Sequence, residues 1–191
     1  MNRNQGAAAP IQHQRPTKLS AGLASRALLI ATGALFGQVA WAQGVVSRGE
    51  LSLDLAERAA REAVKACEAA GYAVTATVVD PAGLVKVALK GDRSTVHTRD
   101  SSYRKAYTVV TMAPIFKFDA TSQFAEKLKA NPSAPALTSI PDILALAGGV
   151  AIRRQGELVA ALGVGGAPGG DKDEACALAG VAKVSADIEA P

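Results

Sequence analysis

The sequence predicts an α+β domain whose helices pack against an antiparallel sheet. Two observations favour this class. Short segments rich in β-branched and apolar residues occur in two pairs, and each pair is joined by a short polar turn with glycine, as hairpins are. Segments with helical periodicity precede, separate and follow these pairs, so the order is helix, hairpin, helices, hairpin, helix. Such an order is typical of an antiparallel sheet with helices packed on it.

The start of the chain has the pattern of a secretory signal peptide. Basic residues precede an apolar run over residues 27–39, which ends in an A-x-A cleavage pattern before Gln43. The run is too short for an ordinary membrane span, and no later segment offers about twenty uninterrupted apolar residues. We therefore expect a signal peptide over residues 1–42 and a single domain over residues 43–191. That domain is expected to be exported, periplasmic or secreted, without a membrane span.

The distribution of charge argues against nucleic acid as a partner. The formal net charge is +4, but four of the 21 Lys and Arg residues lie in the predicted signal peptide, which contains no Asp or Glu. In the exported part the basic residues therefore only equal the 17 acidic ones. Proteins that bind single strands combine clustered cations with aromatic residues, and the exported part has no such cluster.

One helix and one hairpin are predicted at the start of the exported domain. Apolar residues, mostly alanine, recur on one stripe over residues 51–70, and Gly71 follows as a helix-ending residue. Valine and threonine dominate residues 73–79, and residues 84–89 form the returning strand. The Asp-Pro-Ala-Gly turn between the strands has the residues that a tight turn prefers.

A polar loop and two helices are predicted in the middle of the chain. Residues 90–99 have no periodicity, whereas apolar and tyrosine residues recur at helical spacing over residues 100–112. Pro114 is expected to interrupt that helix. A short amphipathic helix follows over residues 121–130, and residues 140–150 carry apolar residues for about two helical turns.

The second hairpin leads into a glycine-rich turn and the last helix. Strands are predicted over residues 150–152 and 158–164, and the helix is expected to start near Lys172. Asp171 and Glu174 have the spacing of a capping box, so helix capping is the expected role of the acidic residues here.

The same turn partly matches a dinucleotide-binding loop, but the match is poor. Gly163 and Gly165 open like the G-x-G-x-x-G pattern, but Pro168 stands where the next glycine is required. The acidic residues that follow would also repel a pyrophosphate.

The two cysteines leave two alternatives open. Cys67 and Cys176 each lie on a predicted alanine-rich helix. In an exported protein they can form a disulfide between the first and last helices, or both can be small buried core residues.

Several motifs resemble the HbpS/GlcG-like haem-binding family, which also includes the C-terminal domain of PduO-type proteins. The resemblance covers nearly the whole exported part and rests on five motifs in the family's order: VVDPAG at 78–83, KGD at 90–92, YRKAYT at 103–108, SIPDILALAGGVAI at 139–152 and GELVAALGVGGAPGGDKDEACALAG at 156–180. It implies a profilin-like α+β fold, a symmetric homo-oligomer and haem, with its iron, as cofactor.

The resemblance also implies a role. HbpS-like members are exported and are associated with haem capture, storage or degradation and with redox sensing beside a partner sensor. A sensor or a haem-uptake protein is thus an expected partner. The alternative is a GlcG/PduO-like accessory protein or enzyme that acts on a small metabolite or a corrinoid.

Few residues can carry haem chemistry, because a haem site needs an apolar slot, cations for the propionates and usually an axial ligand. His97 is the one histidine after the predicted signal peptide, and it is either a solvated loop residue or a ligand to haem iron. Lys90, Arg93, Arg99, Arg104 and Lys105 are nearby cations that can pair with propionates.

Two tyrosines complete the candidate set. Tyr103 and Tyr107 lie one helical turn apart and can stack on a porphyrin or ligate iron, although such pairs also occur in cores and interfaces. No conventional catalytic constellation is present, since a second histidine and a G-x-S-x-G motif are both missing from the exported part. Enzymatic activity therefore stays an open question at this point.

Overall fold

Four antiparallel strands form one sheet with the order β2-β1-β4-β3. The computed structural model describes Gly44 and residues 46–189, which belong to one compact unit. The predicted signal peptide, residues 1–42, lies outside the described residues. The strands are β1 Thr75–Val79, β2 Val85–Lys90, β3 Gly149–Arg154 and β4 Glu157–Gly165.

Helices cover both faces of this sheet. They are α1 Leu53–Ala69, α2 Thr98–Phe116, α3 Thr121–Lys129, α4 Ala134–Ser139, α5 Gly170–Ala182 and α6 Ser185–Ile188. Helices α1 and α5 pack together on one face, and α2 lies across the other. The predicted α+β class, with both hairpins, is confirmed. Among the described residues no helix is long and apolar enough to cross a membrane.

Helix α2 is longer than the sequence predicts. It continues through Pro114, so the expectation that this proline interrupts the helix is wrong. Pro114 lies in the last turn, where its ring costs few helical hydrogen bonds, and the buried Met112 and Ala113 hold that turn in the core. The helix ends at Phe116, and its C-cap Lys117 has a left-handed conformation and donates its N–H to the Ala113 carbonyl.

The apolar segment before β3 is not helical. Ile140 precedes a proline and is extended, as residues in that position usually are. Side chains then satisfy backbone N–H groups that a helix would have paired: Leu144 N–H donates to the Thr108 hydroxyl and Gly148 N–H to the Glu174 carboxylate. The helical turn that does form nearby is α4, which the sequence analysis missed.

Glycines in β3 and β4 let α2 lie directly on the sheet. A Cβ on Gly163 would collide with the Ser102 carbonyl oxygen, and one on Gly149 would collide with the Lys105 carbonyl oxygen. The glycine of the supposed dinucleotide pattern is thus used for close packing of a helix on a strand.

A disulfide joins the two helices on the opposite face. Cys67 in α1 is bonded to Cys176 in α5, with 5.5 Å between their Cα atoms. The helices are in close contact because Gly180 has no side chain, and a Cβ there would meet the Ala59 carbonyl oxygen. Of the two alternatives for the cysteines, the structure shows the bridge.

Candidate functional site: a groove between β2 and α2

An apolar groove opens between the edge strand β2 and the first half of α2. Its volume is about 310 Å³, and six residues line it: Thr77, Val85, Ala88, Arg99, Asp100 and Tyr103. Helix α2 packs closely on β1, β3 and β4 but passes β2 with few contacts. Val85 is therefore 53% exposed although it lies on the α2 side of the sheet.

Tyr103 forms the aromatic wall of this groove, and Tyr107 supports it from the next helical turn. The two ring centroids are 5.6 Å apart. Tyr107 in turn packs on the β1–β2 turn, since a Cβ on Gly83 would lie 2.8 Å from its Cε2 atom. Gly83 has a φ of +84°, so both the space and the backbone conformation favour glycine there.

The environment of Tyr103 favours its neutral phenol. Burial is the main cause that raises its pKa above the ordinary value, and the negative charge of Asp142 and the neighbouring Tyr107 raise it further. Asp142 has a φ of +65° in the segment between α4 and β3, which the Arg104 guanidinium holds by donating to the Ile143 carbonyl at 3.2 Å. At neutral pH, Tyr103 is therefore an aromatic surface and a hydrogen-bond donor rather than an anion.

A charged pair stands at the rim of the groove. Arg99 Nε donates to Asp100 Oδ1 at 3.0 Å, and both side chains are largely exposed. An exposed pair of this kind is worth little, so a bound anion can share or replace Asp100 as the partner of Arg99.

His97 is the residue immediately before α2 and does not line the groove. It is exposed, and its Nδ1 lies 3.0 Å from the Thr95 hydroxyl. Asp100, which does line the groove, is less than one helical turn further along the chain. His97 therefore precedes Arg99 and Asp100, the first residues of α2 that line the groove, by two and three residues.

Two of the predicted cations lie elsewhere. Lys90 lines a cavity beside α1 and donates to the Ser94 carbonyl at 2.6 Å. Arg93, with a φ of +62°, lines a further cavity beside Tyr72 at the end of α1. The structure therefore does not bring Lys90 and Arg93 together with Tyr103.

Arg104 and Lys105 have different surroundings although they are neighbours in one motif. Arg104 is half-buried, and its Nε is buried without a hydrogen-bond partner among the described residues. Lys105 is buried: its Nζ lies 2.6 Å from Asp173 Oδ2 and 3.0 Å from the Val164 carbonyl. The expectation that Lys105 is available to a propionate is therefore wrong.

The acidic residues at the start of α5 connect elements rather than cap their own helix. Asp173 binds Lys105 and accepts from the Ala167 N–H, and Glu174 accepts from Gly148 N–H and from the backbone and hydroxyl of Ser122. The N-cap of α5 is a glycine without a side-chain hydrogen bond. The capping-box interpretation is therefore wrong: these carboxylates tie α5 to α2 and to the start of α3.

The sequence analysis missed most of the groove. The sequence predicts Val85 and Ala88 only as residues of a strand, and the side of β2 that faces α2 depends on a register shift beside Val78. The exposed apolar residues of an edge strand, Leu84 and Val85, were the available signal. Among the described residues, no three His, Cys, Asp or Glu side chains form a group that could hold a metal ion.

Most of the chain matches a known protein family. Residues 51–182 match the family described as haem degrading protein, HbpS-like. The chain belongs to the HbpS-like family. No protein with a curated description matches it significantly.

Solved structures agree with this assignment. A double mutant of HbpS from Streptomyces reticuli is 36% identical to the chain, with a TM-score of 0.68 over 87% of this chain and 99% of that one. A second HbpS structure is 40% identical, with a TM-score of 0.67 over 74% and 94%. A complex of PduOC with heme is 23% identical, with a TM-score of 0.62 over 70% and 94%, and shows the shared fold.

Proposed function

We propose that this protein is exported and binds haem in the groove between β2 and α2. The observation that supports the proposal is an apolar groove with an aromatic wall and an arginine at its rim, in a chain of the HbpS-like family. Apolar walls with a few polar groups are what small-molecule and cofactor sites require. Bound haem would supply an iron centre for redox chemistry and ligand exchange.

Each lining residue has a role that follows from its chemistry. The Tyr103 ring and Val85 would cover apolar porphyrin surface, and the neutral Tyr103 phenol would donate a hydrogen bond. Arg99 would bind a propionate, because its pair with Asp100 is exposed and therefore weak. Thr77 closes the floor of the groove and is tied to Ser102 of α2 by a 2.8 Å hydrogen bond.

His97 is the proposed axial ligand. Arg99 is the first residue of α2 that lines the groove, and the exposed His97 precedes it by two residues, so His97 is the imidazole nearest to the groove along the chain. Nδ1 is engaged by Thr95, which leaves Nε2 for iron. The propionate roles of Lys90, Arg93 and Arg104 stay predictions. Formation of a homo-oligomer also stays a prediction. In such an oligomer, a second copy would cover the open side of the groove.

A haemin titration of the protein tests this proposal with two matched arginine variants. Arg99→Gln is expected to weaken haemin binding about tenfold, the loss of one charge-assisted hydrogen bond. Arg58→Gln removes the same charge from α1, on the opposite face of the sheet, where Arg58 is exposed and pairs with Asp187. It is expected to bind haemin as the unmodified protein does. Equal loss in both variants would point to general electrostatic attraction and would contradict the groove as the site.

Two further variants test the groove wall and the iron ligand independently. Val85→Asp places a carboxylate on an exposed strand position, so it should weaken binding while the protein stays folded by circular dichroism. His97→Ala should shift the Soret band of the complex, because an axial ligand sets the haem spectrum. An unchanged spectrum in His97→Ala would contradict His97 as the iron ligand but would not contradict the groove as the haem site.

The family description makes haem degradation the reaction to examine first. Loss of the Soret band with peroxide or a reductant, faster than in a protein-free haemin control, is the expected sign of degradation; equal rates indicate binding alone.

Export is tested by the intact mass of the secreted product, which should correspond to a chain that begins at Gln43. A product that retains residues 1–42 would contradict a cleaved signal peptide.

A further inference from the structure

The disulfide between α1 and α5 is shielded unequally on its two sides. A cavity of about 210 Å³ lies beside it on the protein surface, lined by Ala66, Ala70, Tyr72, Lys172, Ala175 and Cys176. Cys176 is 6% exposed, whereas Cys67 is fully buried at 0% and does not line the cavity. Solvent therefore reaches the residue Cys176 and does not reach Cys67.

Small side chains make this opening. Three of the lining residues are alanines, from α1 and α5, and alanine leaves room that a larger residue would fill. Tyr72 also lines the cavity, which opens beside Cys176. Cys67 is instead enclosed with the alanines of α1 in the core between α1, α5 and the sheet.

A positive charge stands at the mouth of the cavity. Lys172 lies one helical turn before Cys176, and its Nζ is 5.5 Å from the centre of the Tyr72 ring. The Nζ also donates to the Pro168 carbonyl at 3.3 Å. The thiolate is the nucleophile in thiol–disulfide exchange, so an ammonium group here favours the approach of an anionic thiol.

We propose that Cys176 is a site of reversible modification by low-molecular-weight thiols, with Cys67 as the leaving sulfur. A thiolate RS⁻ attacks Sγ of Cys176, a new S–S bond forms, and the Cys67–Cys176 bond breaks. Cys67 leaves as a thiolate and takes up a proton. A second thiolate can then attack the mixed disulfide, which releases RSSR and the Cys176 thiolate, so that two thiols are oxidised and one disulfide is reduced.

The fold around the bridge makes this exchange local. Gly180 packs on α1 at Ala59 and Ala63, and Asp173 and Glu174 tie the start of α5 to α2, α3 and the segment before β3. Helix α5 is therefore expected to stay in place when Cys176 carries a small adduct. The modification would then occur on the folded protein.

A matched pair of cysteine variants tests the asymmetry directly. Cys67→Ser leaves Cys176 as the free thiol, and Cys176→Ser leaves Cys67, while both variants lose the same bridge. With an aromatic disulfide reagent under native conditions, Cys67→Ser should react at least about tenfold faster, because exposure controls thiol reactivity. In guanidinium both should react at the same rate. Equal native rates, or faster reaction of Cys67, would overturn the proposal.

The unmodified protein provides a test that does not depend on the variants folding. Under native conditions reduced glutathione should give a mixed disulfide that peptide mapping places on Cys176. An adduct on Cys67, or none before the protein unfolds, would contradict the proposal. Lys172→Gln should slow the reaction with glutathione, which is anionic, more than with neutral mercaptoethanol; an equal effect on both would remove the role of Lys172.

Discussion

Helix α2 has two sides with opposite character. On one side Lys105 is 2% exposed in its ion pair with Asp173, which is 4% exposed, and β3 and β4 lie against the helix backbone because their glycines leave room. On the other side Arg99 and Tyr103 face an open groove beside β2. Charged residues of the first side hold the fold, and those of the second are available to a ligand.

The contrast shows how a sequence motif can mislead about function. Arg104 and Lys105 are adjacent and equally basic, yet Lys105 is locked in a buried ion pair and Arg104 supports the segment before β3. A buried charge without its partner is costly, so a motif that contains one is constrained by folding. The residues suited to binding are those whose charges have weak, exposed partners, such as Arg99.

The largest effect is expected from loss of the disulfide, which lies on the face of the sheet opposite to α2. Replacing both Cys67 and Cys176 by Ala should lower the free energy of unfolding by about 4.7 kcal/mol, the chain-entropy value for a loop of about 100 residues. Urea denaturation measures it. Haemin affinity should not change, because the bridge lies across the sheet from the groove. A large loss of affinity would show that the groove depends on the disulfide.

Breaking the buried ion pair should cost almost as much. Lys105→Ala leaves Asp173 buried without its partner and should destabilise the fold by about 4 kcal/mol in urea denaturation. The double variant Lys105→Met with Asp173→Leu removes both charges and should recover most of that loss. If Lys105→Ala alone is as stable as the unmodified protein, the ion pair does not hold α2 to α5.

A smaller effect, on the groove side, is expected from pH. Because the pKa of Tyr103 is raised, first by burial and then by Asp142 and Tyr107, the folded state favours the neutral phenol. This contribution to stability is fully present below the unfolded value of about 10 and is lost as pH rises through the higher folded pKa.

Tyrosinate absorbance during an alkaline titration measures this shift. The protein has three tyrosines, so Tyr103→Phe identifies the group that ionises at the raised pKa. Asp142→Asn should lower the pKa of Tyr103 only in part, since burial is the larger cause and remains. A return to the ordinary value in Asp142→Asn would show that charge, rather than burial, dominates.

The sequence was sufficient for the fold class and the family but not for the site. Periodicity placed α1, α3 and both hairpins, because those elements bury a regular apolar face. Three features depend on contacts between distant segments: the partner of Lys105, the collision that requires glycine at Gly163, and the pairing of Cys67 with Cys176. The sequence shows that Leu84 and Val85 are apolar but does not show that this face of the edge strand stays open, so the groove required the structure.

Paramagnetic line broadening by ferric haemin tests the central claim most directly. In amide NMR spectra of the protein with substoichiometric haemin, signals of Val85, Ala88, Arg99 and Tyr103 should broaden first, because they line the groove. Signals of Ala59 and Gly180, on the opposite face, should keep their width. Broadening centred on the cavities of Lys90 and Arg93, with sharp signals at Tyr103, would contradict haem binding between β2 and α2.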